Sequence, residues 1–217
     1  MRRLFIILFC QLCLSAPVFA QDLPRLYRVV DVAANDVLNI RQHPSADSPI
    51  IGVLHPGADK VEVTHALTDG RWGHVNSGEQ SGWVYMRYMQ DMGDPSWWEL
   101  KRPLFCFGTE PFWNTVIDAD TSGGMRFQRP GHERQDFQYD WMRRDTGFGT
   151  PDSPKGVAAN FASPERRSVA ILQDASCGDG MSDRDYSISI RLIMSLADPD
   201  NKYASEVYDG CCSLTRP

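Results

Sequence analysis

The sequence predicts an all-β protein: a small barrel followed by a disulfide-stapled antiparallel β domain, itself a barrel or a sandwich. Three observations predict it. Short runs of alternating apolar and polar residues recur closely along the chain, turn-forming residues divide them, and few stretches carry a helical period.

In the first part, Leu26–Val32, Val37–Arg41, Ile50–Leu54, Lys60–His65, Trp72–Val75 and Gly82–Tyr85 read as strands. Asn35-Asp36, His43-Pro44-Ser45, Pro56-Gly57, Asp69-Gly70 and Ser77-Gly78 form the turns between them. The stretch 91–103 breaks the alternation with Gly93, Pro95, Pro103 and the paired Trp97-Trp98. It reads as a linker between residues 21–90 and 104–217. In the second part the clearest strand is Tyr186–Met194, where Tyr186, Ile188, Ile190, Leu192 and Met194 alternate with Ser187, Ser189 and Arg191. Residues 147–167, rich in Gly, Pro, Ser and charge, read as a long loop.

Residues 1–20 read as a secretory signal. Arg2 and Arg3 are its basic start, Leu4–Leu14 its apolar run, and Val18-Phe19-Ala20 its small-residue end, which places cleavage before Gln21. The apolar run falls short of the roughly twenty residues needed to span a bilayer. Cys10 and Cys13 lie inside it without a small-residue pair before them to mark a lipid anchor. No later segment is long and apolar enough for a membrane helix, so a periplasmic or secreted product is expected. Without Arg2 and Arg3, 20 basic residues face 28 acidic ones, a formal charge of −8. That balance argues against nucleic acid as a partner, because phosphate binding needs a basic patch.

The residues of the first part also form an ordered pattern. Leu38-Asn39-Ile40-Arg41 with Pro44-Ser45, then Ile51-Gly52-Val53-Leu54, Pro56-Gly57, Val61-Glu62-Val63, Trp72-Gly73-His74-Val75 and Gly82-Trp83-Val84 resemble the bacterial SH3 (SH3b) domain over about residues 24–90. Gly57 and Gly70 suit tight turns, Val61 and Val63 give a strand one apolar face, and Trp72 and Trp83 supply area that a small barrel needs. The resemblance implies binding to peptidoglycan or to an envelope protein. It places a groove near the Arg41–Asp47 loop and the Asp69–Trp72 turn, which makes Arg41, His43, Asp69, Trp72, Tyr85 and Tyr88 candidate ligand residues. The ordinary alternative for these aromatics is core or rim packing. His43, His55, His65 and His74 lack metal-ligand spacing, and no metal or other cofactor is expected.

Four cysteines follow the signal: Cys106, Cys177, Cys211 and Cys212. An even number in an exported chain predicts disulfides. Adjacent α-carbons are about 3.8 Å apart, whereas bridged cysteines usually hold theirs roughly 4.4–6.8 Å apart. A bond between Cys211 and Cys212 therefore needs a distorted turn. The unstrained alternative ties each of them to one of Cys106 and Cys177, with the choice of partner open. Neither C-x-x-C spacing nor a neighbouring His or Lys supports a redox-active thiol.

Two further motifs surround these cysteines. Cys106-Phe107-Gly108-Thr109-Glu110-Pro111-Phe112-Trp113 resembles the C-x-G-x-E-P-F-W signature of a bacterial envelope family of undefined activity. Cys177 to Tyr186 resembles that family's C-x-D-x-M-S-D-x-x-Y motif, and Gly210-Cys211-Cys212 its ending, so the likeness covers about residues 103–213. Glu110, Asp179, Asp183 and Arg184 are its polar residues; Glu110 and Arg184 join the candidate ligand contacts. Glu110 and Asp183 are the carboxylates that a cell-wall glycan hydrolase would use as acid and base. The ordinary alternative is a turn at Asp179-Gly180, local amide bonds from Ser182 or Asp183, and an ion pair at Arg184. No nucleophile–base–orienter set can be assembled, and Cys106 with His132 lacks the context of an envelope peptidase. Asp174, Asp179, Asp183 and Asp185 miss the spacing of a calcium loop. The leading expectation is thus a non-enzymatic envelope protein. A glycan hydrolase comes second, and an inhibitor of lytic enzymes is a third reading, since similar segments accompany lysozyme-inhibitor-like domains.

Overall fold

The computed structural model describes residues 22–120, 123–145, 155–196 and 205–216; the expected signal, residues 1–20, lies outside them. Fifteen strands occur among the described residues, in two antiparallel sheets. The first sheet holds β1 (Arg25–Val29), β2 (Leu38–Arg41), β3 (Ile50–Leu54), β4 (Val61–Ala66), β5 (Trp72–Ser77), β6 (Gln80–Tyr85) and β7 (Met89–Asp91), in the order β3-β2-β6-β5-β4-β1-β7. Alternation along the strands turns Tyr27, Val29, Ile40, Val63, Val75 and Val84 into one small core. Gly57 and Gly70 take left-handed φ of 73° and 68° at the turns, as their positions require.

The second sheet closes on itself. Strands β8 (Leu104–Thr109), β9 (Phe112–Asp118), β10 (Gly124–Gln128), β11 (Gln135–Arg144), β12 (Gly156–Ala162), β13 (Arg166–Cys177), β14 (Tyr186–Leu196) and β15 (Ser205–Ser213) form an eight-stranded barrel, which decides between barrel and sandwich. In β14 the residues Tyr186, Ile188, Ile190, Leu192 and Met194 all point into the core, as their alternation predicts. The expected long loop over 147–167 needs correction: β12 occupies Gly156–Ala162 and β13 begins at Arg166. Gly, Ala and Asn are poor strand formers on their own. Here β11 and β13 bond to both edges of the segment, and Val157, Ala159 and Phe161 fill the interior.

The barrel closes where β15 pairs with β8, with Cys212 opposite Cys106 and Cys211 opposite Phe107. Disulfides join Cys106 to Cys212 and Cys177 to Cys211, with Cα atoms 4.0 and 5.7 Å apart. The adjacent pair thus splits between two partners. Alternation explains why: Cys211 and Cys212 leave the strand on opposite faces, so one reaches β8 and the other the end of β13. At the same closure Trp113 lies against two glycines. A side chain on Gly108 would strike the Trp113 ring and the Asp209 carbonyl, and one on Gly210 would strike the Phe107 carbonyl. These contacts give a packing reason for the spacing of Cys106, Gly108, Trp113 and Gly210.

Between the sheets, Trp97–Glu99 form one 3₁₀ turn, closed by a capping box between Ser96 and Glu99. Trp97, Trp98 and Leu100, together with Leu26 of β1, belong to the barrel's core cluster. Arg144 lies 4.2 Å over the Trp98 ring.

The two sheets meet along a polar seam. Asp183 N–H donates to the Glu79 carbonyl at 2.8 Å, and Ser81 Oγ donates to the Asp183 carbonyl at 3.1 Å. Asn76 binds Asp185 twice, donating to its carbonyl and accepting from its N–H, each at 3.0 Å. Glu62 of β4 accepts from Ser213 Oγ and, at 3.1 Å, from Leu214 N–H. Its other oxygen, Oε1, is out of solvent's reach and has no hydrogen-bond partner among the described residues. Burial raises the Glu62 carboxyl above its usual range, against the Ser213 and Leu214 bonds that pull it down. In the same seam burial, then the neighbouring His65, push His74 down to about 4, while Asp185 pulls the other way.

Candidate functional site

An open groove of about 770 Å³ runs along the first sheet. Three segments build its walls. The β1–β2 connection brings Asp31 and Asp36, the end of β2 and the loop after it bring Arg41 and Pro44, and the paired ends of β5 and β6 with the 3₁₀ turn that follows bring Arg71, Trp72, Tyr85 and Tyr88. Cross-strand pairing sets Trp72 directly opposite Tyr85, with ring centroids 5.4 Å apart, and Tyr85 lies 6.3 Å from Tyr88. All three rings are half-buried, so they keep an apolar face toward solvent. Their hydroxyl and indole edges leave them suited to a ligand that is part apolar and part polar.

Charged residues flank the rings. Arg41 Nη1 donates to the Ser48 carbonyl at 2.7 Å, which holds the 41–48 loop against β2. Asp69 binds both the N–H and the Nε of Arg71, at 3.0 and 2.7 Å. Those bonds, the backbone one foremost, hold the Asp69 carboxyl below its usual range. They also fix the Arg71 side chain that lines the groove.

Of the residues expected in this groove, Arg41, Trp72, Tyr85 and Tyr88 line it together. Asp69 acts at one remove, through Arg71. His43 lies exposed on the 41–48 loop, its N–H bonded to Ser48 Oγ at 2.8 Å, and is not in the lining. Asp31 and Asp36 escaped the sequence reading. They sit between two strands and carry no motif, and only the chain's return path brings them to the aromatics.

Glu110 lies elsewhere, exposed at the β8–β9 turn beside a second cavity of about 920 Å³. Phe112, Met181, Asp179 and Arg191 share that cavity, whereas Asp183 and Arg184 are not in its lining. Asp179 Oδ1 accepts from the N–H groups of Met181 and Ser182 at 2.9 and 2.8 Å, and Ser182 Oγ donates to Oδ2 at 2.8 Å. Burial raises the Asp179 carboxyl, but these bonds outweigh it and leave it below its usual range. Asp183 is spent on the seam through its backbone, and the Arg184 guanidinium lies 5.5 Å over the Tyr186 ring. The structure therefore gathers Glu110 and Asp179 at one cavity and sets Asp183 in the contact with the first sheet.

Among the described residues, no helix is long and apolar enough to cross a membrane. No curated protein and no solved structure matches the chain. Residues 36–90, which include most of the groove, match the family model of the bacterial SH3 domain.

Proposed function

We propose that this chain is an extracytoplasmic envelope protein that docks on peptidoglycan through the groove of its SH3-like part, residues 21–90, and carries the stapled barrel of residues 104–217 with it. A bacterial SH3 domain and two disulfides fit a protein outside the cytoplasm. One observation carries the ligand reading: Trp72, Tyr85 and Tyr88 share an open groove with Arg41 and Arg71. Peptidoglycan matches that pairing. Its sugar rings present apolar faces to aromatic rings, and its peptide stems present carboxylates to guanidinium groups. The resemblance of residues 103–213 to an envelope family supports the same compartment.

Sedimentation with purified sacculi tests the proposal. The mature chain should pellet with the sacculi, and a triple Trp72→Ala, Tyr85→Ala, Tyr88→Ala variant should stay in solution. Equal sedimentation of the two proteins, or none of the wild type, would remove the groove as a cell-wall site.

A further inference from the structure

The seam holds a second constellation. His65 and His74 face each other across β4 and β5, paired by the register shift that follows Val63. Their ring centroids are 4.3 Å apart. Asp185, from the loop before β14, reaches them from the barrel: its Oδ2 lies 3.7 Å from His65 Nδ1 and 3.6 Å from His74 Nδ1. One donor atom from each of the three residues falls within 4.8 Å of the other two. We propose that His65, His74 and Asp185 form a binding site for a divalent transition-metal ion of the zinc class, which ties the first sheet to the barrel.

Ligand chemistry and geometry both favour this. Imidazole nitrogen with one carboxylate oxygen is a donor set suited to zinc and its neighbours. Bonds of about 2.0–2.1 Å would set neighbouring donors roughly 3.3 Å apart in a tetrahedral site. The carboxylate therefore needs to close on each imidazole by only a few tenths of an ångström. Asp185 is also held from behind. Asn76 grips its backbone at both polar atoms, and Ser176 Oγ donates to Oδ1 at 3.3 Å, which leaves Oδ2 for the histidines. Outer contacts of this kind fix the direction of a metal-bound carboxylate. Thr64 Oγ1 stands 3.2 and 3.4 Å from the two Nδ1 atoms. Thr64, His65 and Asp185 border a cavity of about 590 Å³, which gives an ion its path in and a solvent ligand its place. His74 is the inner ligand, its side chain 12% exposed against 46% for His65.

Calorimetric titration of the untagged mature chain with Zn²⁺, after EDTA treatment and with both disulfides intact, tests the site. One ion should bind per chain. Asp185→Asn and His65→Ala should each weaken it by more than about 100-fold, beyond the 10–100-fold typical of an outer partner, and Ser176→Ala by about 10-fold. A His43→Ala, His55→Ala control should bind as wild type does, since both residues are exposed outside the seam. Co²⁺ should give the visible absorption of a low-coordinate imidazole site, lost in His65→Ala. His65 is half-exposed, so this variant keeps the fold where His74→Ala risks it. Absent stoichiometric binding, or binding that survives both His65→Ala and Asp185→Asn, overturns the proposal and leaves the three residues as an ion-pair network of the seam.

Discussion

The two sheets spend the same kind of residue in opposite ways. Around the barrel, Trp113 of β9 and the Trp97-Trp98 pair that precedes β8 are buried in one large core, and two disulfides staple β15 to β8 and β13. In the first sheet, Trp72 and the tyrosines beside it are half-buried along an open groove, and the core beneath them is made mainly of Val, Leu, Ile and a single buried Tyr27. Trp113 in the barrel serves the fold, whereas Trp72 keeps part of its ring at the surface of the groove. The size of the sheets explains the division. A closed eight-stranded barrel has an interior that several large rings can fill, while the smaller first sheet encloses one, Tyr27, among mostly short side chains.

Breaking the staples should produce the largest contrast. Replacing Cys106 and Cys212 by alanine releases a cross-link of 106 residues, and replacing Cys177 and Cys211 one of 34. The loop-entropy relation puts the losses at about 5 and about 4 kcal/mol respectively. Guanidinium unfolding followed by near-ultraviolet dichroism would measure both, and equal losses would show that chain entropy is not what the staples control.

Matched tryptophan variants sharpen the comparison. Trp113→Ala should cost roughly 3–5 kcal/mol, since it empties a buried site between two glycines. Trp72→Ala should leave the unfolding midpoint within about 1 kcal/mol of wild type. Its effect should appear in sacculus affinity, with a loss of at least about 10-fold. A Trp72→Ala protein that unfolds as readily as Trp113→Ala would mean the groove ring is core after all.

Glu62 tests the seam between the two regions. Its folded carboxyl binds a proton more tightly than the unfolded one does. The stabilisation linked to that proton is complete below the unfolded value and is lost as pH rises through the folded value. Glu62→Gln should therefore gain stability over wild type as pH rises from 4 to 7, measured as the difference between the two urea midpoints. A constant difference across that range would show an ionised carboxylate at no cost in the seam. Smallest of all should be Asp69→Asn. The Asp69–Arg71 pair is exposed, so stability should not move, and sacculus affinity should fall by at most about fivefold.

Much of this architecture was legible in the residues. Strands β2 to β6 lie where alternation and turns put them, because each decision there is local: a glycine at a left-handed turn, a valine every second residue. The inward face of β14 was equally plain from its alternation. Strand β12 was not, since Gly156, Ala158, Ala159 and Asn160 look like loop until two neighbours hold them in a ladder. The groove was half legible: Trp72 stands in the motif and Tyr85 directly after it, whereas Asp31 and Asp36 reach it only through the fold.

By itself the sequence determined the all-β class and the four cysteines available for disulfides, with their partners left open. Both follow from residue types and local alternation along the chain. Tertiary structure decided the rest: closure of the barrel, the assignment of Cys106 to Cys212, and the company of His65, His74 and Asp185. Asp185 stands more than a hundred residues from the histidines, in the loop before β14 of the other sheet. No periodicity reports such a meeting, because it is set by where two finished sheets touch.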